Sequence, residues 1–143
     1  MKLKSTAVIR RRLLLLWSQA VRSRVGYKCE ICGVKRGDIV NEKAVKIDAH
    51  HLISKYIKNS PLKYDIRNGV CLCSSCHKFH ANSFHKNPVR TITWLILNRP
   101  FDYEFILAND SLRVDLNDRK VLEEIEIRLK ENKPLDLDKL LKI

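Results

Sequence analysis

The sequence predicts an α+β protein in which two short strands and a helix carry a zinc site, with helices on either side. Three observations indicate this: two C-x2-C pairs, strand-like apolar segments near them, and apolar residues at helical spacing towards both ends. With 143 residues and 45% hydrophobic residues, the chain suits one globular domain. We expect a single domain over 1–143: a core at about 27–88, a basic helix at about 5–25 and a helical extension at about 88–143.

The first element is a helix that Ser5 or Thr6 can cap and that ends near Arg24. Its apolar positions include Val8, Leu15, Leu16 and Ala20. The apolar run "LLLLW" inside it is far too short to span a bilayer, so we expect no membrane association.

The central elements are two strands and a helix. Residues 44–51, "AVKIDAHH", have strand character, and 68–73, "NGVCLC", form a second strand entered through an Asn-Gly turn signal. Residues 54–67 contain Pro61 and many polar groups, which predicts a loop with room for one helical turn. Ser74 or Ser75 then begins a helix over "SCHKFHANSFH".

The C-terminal part is mostly helical. Asn87-Pro88 opens a helix over "PVRTITWLILN", which Pro100 stops. The segment "FDYEFILA" fits either a strand or a short helix. Residues 118–132 form an amphipathic helix. Trp17 and Trp94 lie among aliphatic residues at helical spacing, which predicts that both belong to the core.

Four of the five cysteines form the pairs "CEIC" and "CSSC". Paired thiolates at this spacing are typical of tetrahedral Zn²⁺ sites, and disulfides fit poorly because nothing indicates secretion. Cys71 lies in an apolar alternation and is expected to be a buried strand residue. The expected structural zinc ligands are Cys29, Cys32, Cys73 and Cys76.

The charge of +12 is unevenly distributed. Residues 101–143 carry 11 acidic and 8 basic side chains, whereas residues 1–100 carry 5 acidic and 20 basic ones. Such a positive region attracts polyanions, nucleic acid above all. A ribosome-like or merely solubilising surface stays open as the alternative.

The histidines suggest a second metal site. His77 directly follows the last cysteine, and His77 and His80 are three residues apart, on roughly one helix face. If that helix packs across the strands, His50 and His77 can ligate a cation and leave His51 beside it as a base. Bulges at strand ends can let adjacent side chains converge on one site. His85 is expected to be a surface residue.

"DAHHLI" and "RNGVCLCSSCHKFH" together resemble the HNH endonuclease family, whose ββα-metal motif is flanked by zinc knuckles. The resemblance covers about residues 27–88. It implies that His51 is the general base, that His50 and His77 bind the catalytic divalent cation, and that Asn68 braces the loop and orients the base. The reverse assignment of His50 and His51 stays open. His80 lies near where some members keep a histidine that touches the phosphate.

Asp48 departs from the pattern expected before the histidine pair. It can support His50 or His51 through a hydrogen bond, or it can simply begin the turn. The segment "FHANSFHKNPVRTITWLI" resembles the region C-terminal to the motif in HNH proteins of phage origin.

The resemblance implies a metal-dependent DNA endonuclease that nicks or cuts both strands and leaves a 5′-phosphate and a 3′-hydroxyl. Mg²⁺ is the expected catalytic ion, with Mn²⁺ or Ni²⁺ as alternatives, because two imidazoles favour a softer metal. We expect a cytoplasmic protein of a bacterium or a phage-infected host cell. The basic residues expected to hold DNA phosphates are Arg10, Arg11, Arg12, Lys46, Lys55, Lys58, Lys63 and Arg67.

Two other functions stay open. One is a zinc-stabilised DNA-binding module that does not cleave, and the other is a structure-selective nuclease for branched DNA. The sequence does not decide between a monomer and a homodimer.

Overall fold

The computed structural model describes residues 4–143 and confirms the α+β class. The α-helices are α1 (Thr6–Arg24), α2 (Pro88–Asn98), α3 (Pro100–Asn109), α4 (Arg119–Lys130) and α5 (Leu137–Leu141). The strands are β1 (Ile39–Val40), β2 (Lys43–Ala44), β3 (Ile47–His51) and β4 (Gly69–Cys73). Two 3-10 turns, Pro61–Tyr64 and Ile66–Asn68, precede β4, and a π-helical turn, Ser75–Phe79, comes after it.

Helix α1 packs along α4 and forms one side of the larger core. Ser5 caps it by accepting a hydrogen bond from the Val8 N–H. Its buried face carries Leu13, Trp17 and Val21, three or four residues apart, whereas Val8 and Leu15 are exposed. With residues from the C-terminal part of the chain, this face forms the larger of two hydrophobic clusters. Most other members come from α4, α5 and the segments before them: Val114, Leu116, Val121, Leu122, Ile125, Leu129, Leu135 and Leu140.

Strands β3 and β4 pair antiparallel and form the centre of the molecule. Ile47 lies opposite Cys73 and His51 lies opposite Gly69. The backbone of Gly69 is in contact with α1, because a Cβ on Gly69 would overlap Val21 and would approach Cζ2 of Trp17 to 2.8 Å. Glycine at this position therefore lets α1 cross close to the strand.

A second, smaller cluster lies around the cysteines. It is built from Ile47, Val70, Leu72 and Phe84 with the buried cysteines. Half-buried Trp94 packs against it from α2. Both tryptophans thus contact the core, as predicted, but Trp17 and Trp94 belong to different clusters.

The structure corrects one predicted helix, resolves one open alternative and adds a helix that was not predicted. The helix expected from Ser75 to His85 ends after one π-helical turn, where the His80 N–H bonds to the Ser75 carbonyl, and residues 80–87 form a loop. The ambiguous "FDYEFILA" segment is helix α3, and α5 was not predicted. As the Asn-Gly signal predicted, β4 is entered from a turn: Asn68 ends a 3-10 turn with its side chain buried, and Gly69 begins the strand.

No helix within residues 4–143 is both long enough and apolar enough to cross a membrane.

Candidate functional site

Four cysteine sulfurs lie together between the turn after α1 and the end of β4. The turn closes with a hydrogen bond from the Gly33 N–H to the Cys29 carbonyl, which brings Cys29 and Cys32 towards Cys73 and Cys76. The four sulfurs all lie within 4.8 Å of one another, and Sγ of Cys32 is 3.7 Å from Sγ of Cys73. Tetrahedral zinc with Zn–S bonds of roughly 2.3 Å separates its sulfurs by about 3.8 Å. The predicted cysteine cluster can therefore hold a zinc ion.

Cys71 lies outside the cysteine cluster. It is fully buried in β4, and burial, with the charge of Glu30, raises the pKa of its thiol to about 12. Its backbone N–H donates to Oε2 of Glu30 at 2.7 Å. Cys71 is thus the buried strand residue that the apolar alternation predicts.

A second cluster joins three imidazoles, His50, His77 and His85, whose ligand nitrogens all lie within 4.8 Å of one another. Nε2 of His77 is 2.9 Å from Nε2 of His85. Two nitrogens that bind one cation at right angles, with metal–nitrogen bonds of roughly 2.1 Å, lie roughly 3 Å apart. The distance between His77 and His85 is close to this value. Burial, followed by the charges of His77 and His85, lowers the pKa of His50 to about 3, so His50 is neutral and able to ligate at pH 7.

Asp48 fixes the tautomer of His77. Its Oδ2 lies 3.1 Å from Nδ1 of His77. Because an ionised carboxylate only accepts, Nδ1 of His77 donates and Nε2 keeps its lone pair towards His85. Neither expected role of Asp48 holds, because its hydrogen-bond partner is His77 rather than His50 or His51.

The loop over residues 80–87 brings His85 to the cluster by folding back over the π-helical turn. The Phe84 N–H donates to the Cys76 carbonyl at 2.9 Å, and the His85 N–H donates to the His77 carbonyl at 3.2 Å. These bonds lay His85 beside His77 even though the residue as a whole is exposed. His85 is exposed, as expected, but its ring also joins the histidine cluster, which the sequence did not predict. The spacing along the chain gives no sign of this arrangement.

His80 lies elsewhere. It is exposed, and its Nδ1 accepts a hydrogen bond from the Asn82 N–H at 3.1 Å. It lines a groove that contains Cys32 and Trp94 rather than the cleft of the histidine cluster. The shared helix face expected for His77 and His80 does not form, because the helix ends at His80. The structure thus places His80 outside the cleft that holds the other predicted site histidines.

His51 points to the other face of β3 and packs on α1. Its ring stacks on Trp17 with 3.6 Å between ring centroids and 12° between the planes. Its Nε2 lies 2.9 Å from the Lys63 carbonyl oxygen. That oxygen only accepts, so Nε2 carries the hydrogen and Nδ1 is the basic nitrogen of the neutral ring. The sequence suggested that a bulge brings the two adjacent histidines together. Instead, His50 and His51 lie on opposite faces of a regular strand.

The electrostatic environment of His51 keeps the ring neutral. Burial lowers its pKa to about 4; the Lys63 carbonyl opposes this shift, and the charges of Lys55 and Lys63 add to it. The pKa of His51 therefore lies well below the ordinary histidine value of 6.5. His51 holds an available lone pair at pH 7, although it is a weaker base than a free imidazole.

Asn68 braces the loop that supports His51 without touching the ring. Its Oδ1 accepts from the Ile53 N–H at 2.6 Å, and its Nδ2 donates to the carbonyls of Ile53 and Leu62 at 3.1 and 3.0 Å. Leu62 precedes Lys63, whose carbonyl holds His51. The buried amide of Asn68 thus connects the two ends of the loop between β3 and β4.

His51 and the three histidines of the cluster all line one open cleft of about 640 Å³. One wall comes from β3 and the loop after it, and the other from the π-helical turn, residues 84–85 and the start of α2. The lining side chains are Ala49, His50, His51, Leu52, Ser54, Lys55, Tyr56, His77, Lys78, Phe84, His85, Pro88, Thr91 and Ile92.

The basic residues expected to bind phosphates divide into two groups. The Arg67 guanidinium pairs with Asp65 at 2.8 Å, donates to the Leu135 carbonyl and stacks on Phe105, so it is used inside the fold. Arg12 pairs with Glu126 at 2.5 Å, and Arg10 donates to Asn117. Lys63 is half-buried beside His51. The exposed members are Arg11, Lys46, Lys55 and Lys58.

Comparison with known proteins gives no match to a family model, a curated protein or a solved structure.

Proposed function

We propose that the protein is a metal-dependent DNA endonuclease of the HNH type, which hydrolyses phosphodiester bonds with His51 as general base. The observation that carries the proposal is the position of His51. His51 lines the same cleft as His50, His77 and His85, although its ring stacks on Trp17 from the other face of β3, and its bond to the Lys63 carbonyl leaves Nδ1 as the basic nitrogen.

Hydrolysis of a phosphodiester needs a base for the attacking water and a centre that offsets charge on the leaving oxygen. A divalent cation held by His50, His77 and His85 would supply that charge at the scissile phosphate. Three neutral imidazoles suit Mn²⁺, Ni²⁺ or Zn²⁺ better than Mg²⁺, which prefers oxygen ligands. The third imidazole, which the resemblance did not include, moves the expected ion away from Mg²⁺.

His51 accepts the proton from water at Nδ1, because its pKa, lowered to about 4, keeps the ring neutral at pH 7. A phosphate anion bound beside the ring stabilises the imidazolium that results and raises this pKa in the complex. Lys55 and Lys63, whose charges act on His51 in the free protein, are placed to bind that phosphate.

The experiment is nicking of supercoiled plasmid with added Mn²⁺ or Mg²⁺, with His51→Ala and His80→Ala as a matched pair. Loss of a general base costs about 10²- to 10⁴-fold in rate, so we expect His51→Ala to leave the plasmid supercoiled. His80→Ala should cut like the unsubstituted protein, because His80 lies outside the cleft.

Equal cutting by both variants would exclude His51 as the base. If the unsubstituted protein binds DNA on a gel but cuts neither the plasmid nor single-stranded DNA with either ion, the protein is the non-cleaving, zinc-stabilised DNA-binding module instead.

A further inference from the structure

The cleft that holds the histidines also exposes apolar side chains that the proposed chemistry does not use. Tyr56 is 84% exposed on the wall formed by the loop after β3, and Ile92 is 51% exposed on α2 in the opposite wall. Leu52 and Pro88 also line the cleft. Tyr56 and Ile92 belong to neither core cluster, so packing of the fold does not explain their position.

Such walls do not suit the backbone of a DNA duplex. A duplex presents phosphates and sugars to a backbone-binding protein, and its bases stay stacked inside. The face of a base that has left the stack is the flat surface in DNA on which an exposed tyrosine ring can stack. The cleft volume of about 640 Å³ is in the range of roughly 300–1,000 Å³ found for small-ligand sites, which suits individual nucleotides rather than a duplex.

The charges beside Tyr56 match the phosphates of the same strand. Nζ of Lys55 lies 5.3 Å from the centroid of the Tyr56 ring, so a cation and an aromatic face adjoin. Lys78 is exposed on the opposite wall. An aromatic platform beside cations is the arrangement by which proteins bind single strands, with bases on the ring and phosphates on the cations.

We propose that the substrate of this cleft is unpaired DNA, with a base next to the scissile phosphate stacked on Tyr56. This inference rests on the proposed function, because it names the form of DNA that the same site takes. It selects strands with an unpaired stretch over continuous duplex.

The test is fluorescence anisotropy with a labelled single-stranded oligonucleotide and a hairpin duplex of the same sequence, without added divalent cation. Stacking of one base contributes about 1–3 kcal/mol, so Tyr56→Ala should weaken single-strand binding by about 5- to 150-fold. Duplex binding should not change. Tyr56→Phe keeps the ring and should bind single strands like the unsubstituted protein.

Phe101→Ala is the matched control, because Phe101 is also 84% exposed but lies on α3, outside the cleft. We expect it to change neither binding constant. A strand with abasic sites should lose affinity for the unsubstituted protein and lose little more when Tyr56→Ala is added. The inference is overturned if Tyr56→Ala and Phe101→Ala bind single strands equally, or if the unsubstituted protein prefers duplex.

Parallel cleavage assays separate this inference from the proposed function. If cutting requires His51 but Tyr56→Ala changes neither binding nor the preference for unpaired substrates, the nuclease proposal stands and the inference falls. If Tyr56→Ala selectively weakens single-strand binding but no DNA form is ever cut, the nuclease proposal falls and the cleft remains a site for unpaired strands.

Discussion

The indole of Trp17 determines how the His51 ring lies. Trp17 is only 2% exposed, and its Nε1–H donates to the Asp65 carbonyl at 2.9 Å. The His51 ring is therefore fixed on one face by a held indole and at Nε2 by the Lys63 carbonyl. Two contacts at right angles leave the imidazole little freedom to turn, which makes Trp17 a positioning residue for the proposed base.

The first residue-scale prediction is that Trp17→Leu lowers kcat for DNA cleavage more than Trp17→Phe does. Both variants lose the bond to Asp65, but phenylalanine keeps a flat surface for His51. Misplacement of a catalytic group by about 1 Å can cost about 100-fold, so we expect a loss of that order for leucine, with KM little changed. The measurement is cleavage kinetics at temperatures below each variant's thermal unfolding.

Trp94→Leu is the control for loss of a tryptophan, because Trp94 packs in the other cluster. Equal kcat values for the leucine and phenylalanine variants of Trp17 would show that the stack does not position His51.

At the scale of residues, the sequence predicted which kinds of side chain form the sites better than it predicted which side chains contact one another. The C-x2-C pairs correctly indicated the four cysteines whose sulfurs lie together at the end of β4. His85 was missed because a loop, not a helical period, brings it to His77. Arg67 was assigned to DNA because charge alone does not reveal that Asp65 and Phe105 occupy its guanidinium.

The contact of α1 with β4 at Gly69 connects the N-terminal helix to the strand pair that carries the histidines. The φ of −123° at Gly69 is open to any residue, so space alone requires glycine there. The Gly69 carbonyl also accepts from Arg24 of α1's last turn and from Arg99. The strand that lies opposite His51 is thus tied to helices on two sides.

We predict that Gly69→Ala lowers the free energy of unfolding by about 1–3 kcal/mol, the usual cost of overpacking a core. The added methyl group would push Val21 and Trp17, and with Trp17 the face on which His51 lies. Chemical denaturation of the protein measures this cost.

Val21→Ala provides the partner for a double-substitution cycle. Its smaller side chain makes room at Gly69, so the combined variant should lose less stability than the sum of the two single losses. Strict additivity would mean that the overlap at Gly69 is relieved in another way.

At the scale of elements, the long helices were predictable and the short ones were not. Helices α1 and α4 have caps and apolar periods over several turns, and their bounds agree with the sequence within two residues. The sequence after β4 resembles a longer helix. The structure has only a π-helical turn there, because the cysteine cluster and the returning loop, rather than a helical period, fix this segment. Helix α5 has five residues, too few to show a period.

The two hydrophobic clusters divide the described part of the molecule by what stabilises them. The larger cluster is a conventional core of mainly aliphatic side chains, with Trp17 and Tyr64, between α1, α4 and α5. The smaller cluster includes Cys29 and Cys73 and depends on the sulfurs being held together. Loss of metal should therefore affect the two halves differently.

The whole-molecule prediction concerns metal content and local stability. We expect about one tightly bound zinc per chain and a second, exchangeable ion that His85→Ala weakens without releasing the first. Removal of the zinc by a chelator should increase hydrogen exchange at Cys29–Gly33 and in β4, while α1 and α4 keep most of their protection.

Hydrogen exchange read by mass spectrometry, together with elemental analysis, makes this measurement. Cys32→Ser should give the same increase in hydrogen exchange in the absence of a chelator. Simultaneous loss of protection in α1 and α4 would contradict the division into two clusters.

The regular pairing of β3 has a consequence for how this protein can change. His50 and His51 serve different partners only because alternate residues of a strand point in opposite directions. Inserting or deleting one amino acid upstream in β3 would turn each imidazole to the opposite face of the strand, so ion and base would be lost together. Substitutions can adjust either histidine's surroundings gradually, but length changes in this strand should give variants that are fully inactive rather than partly impaired.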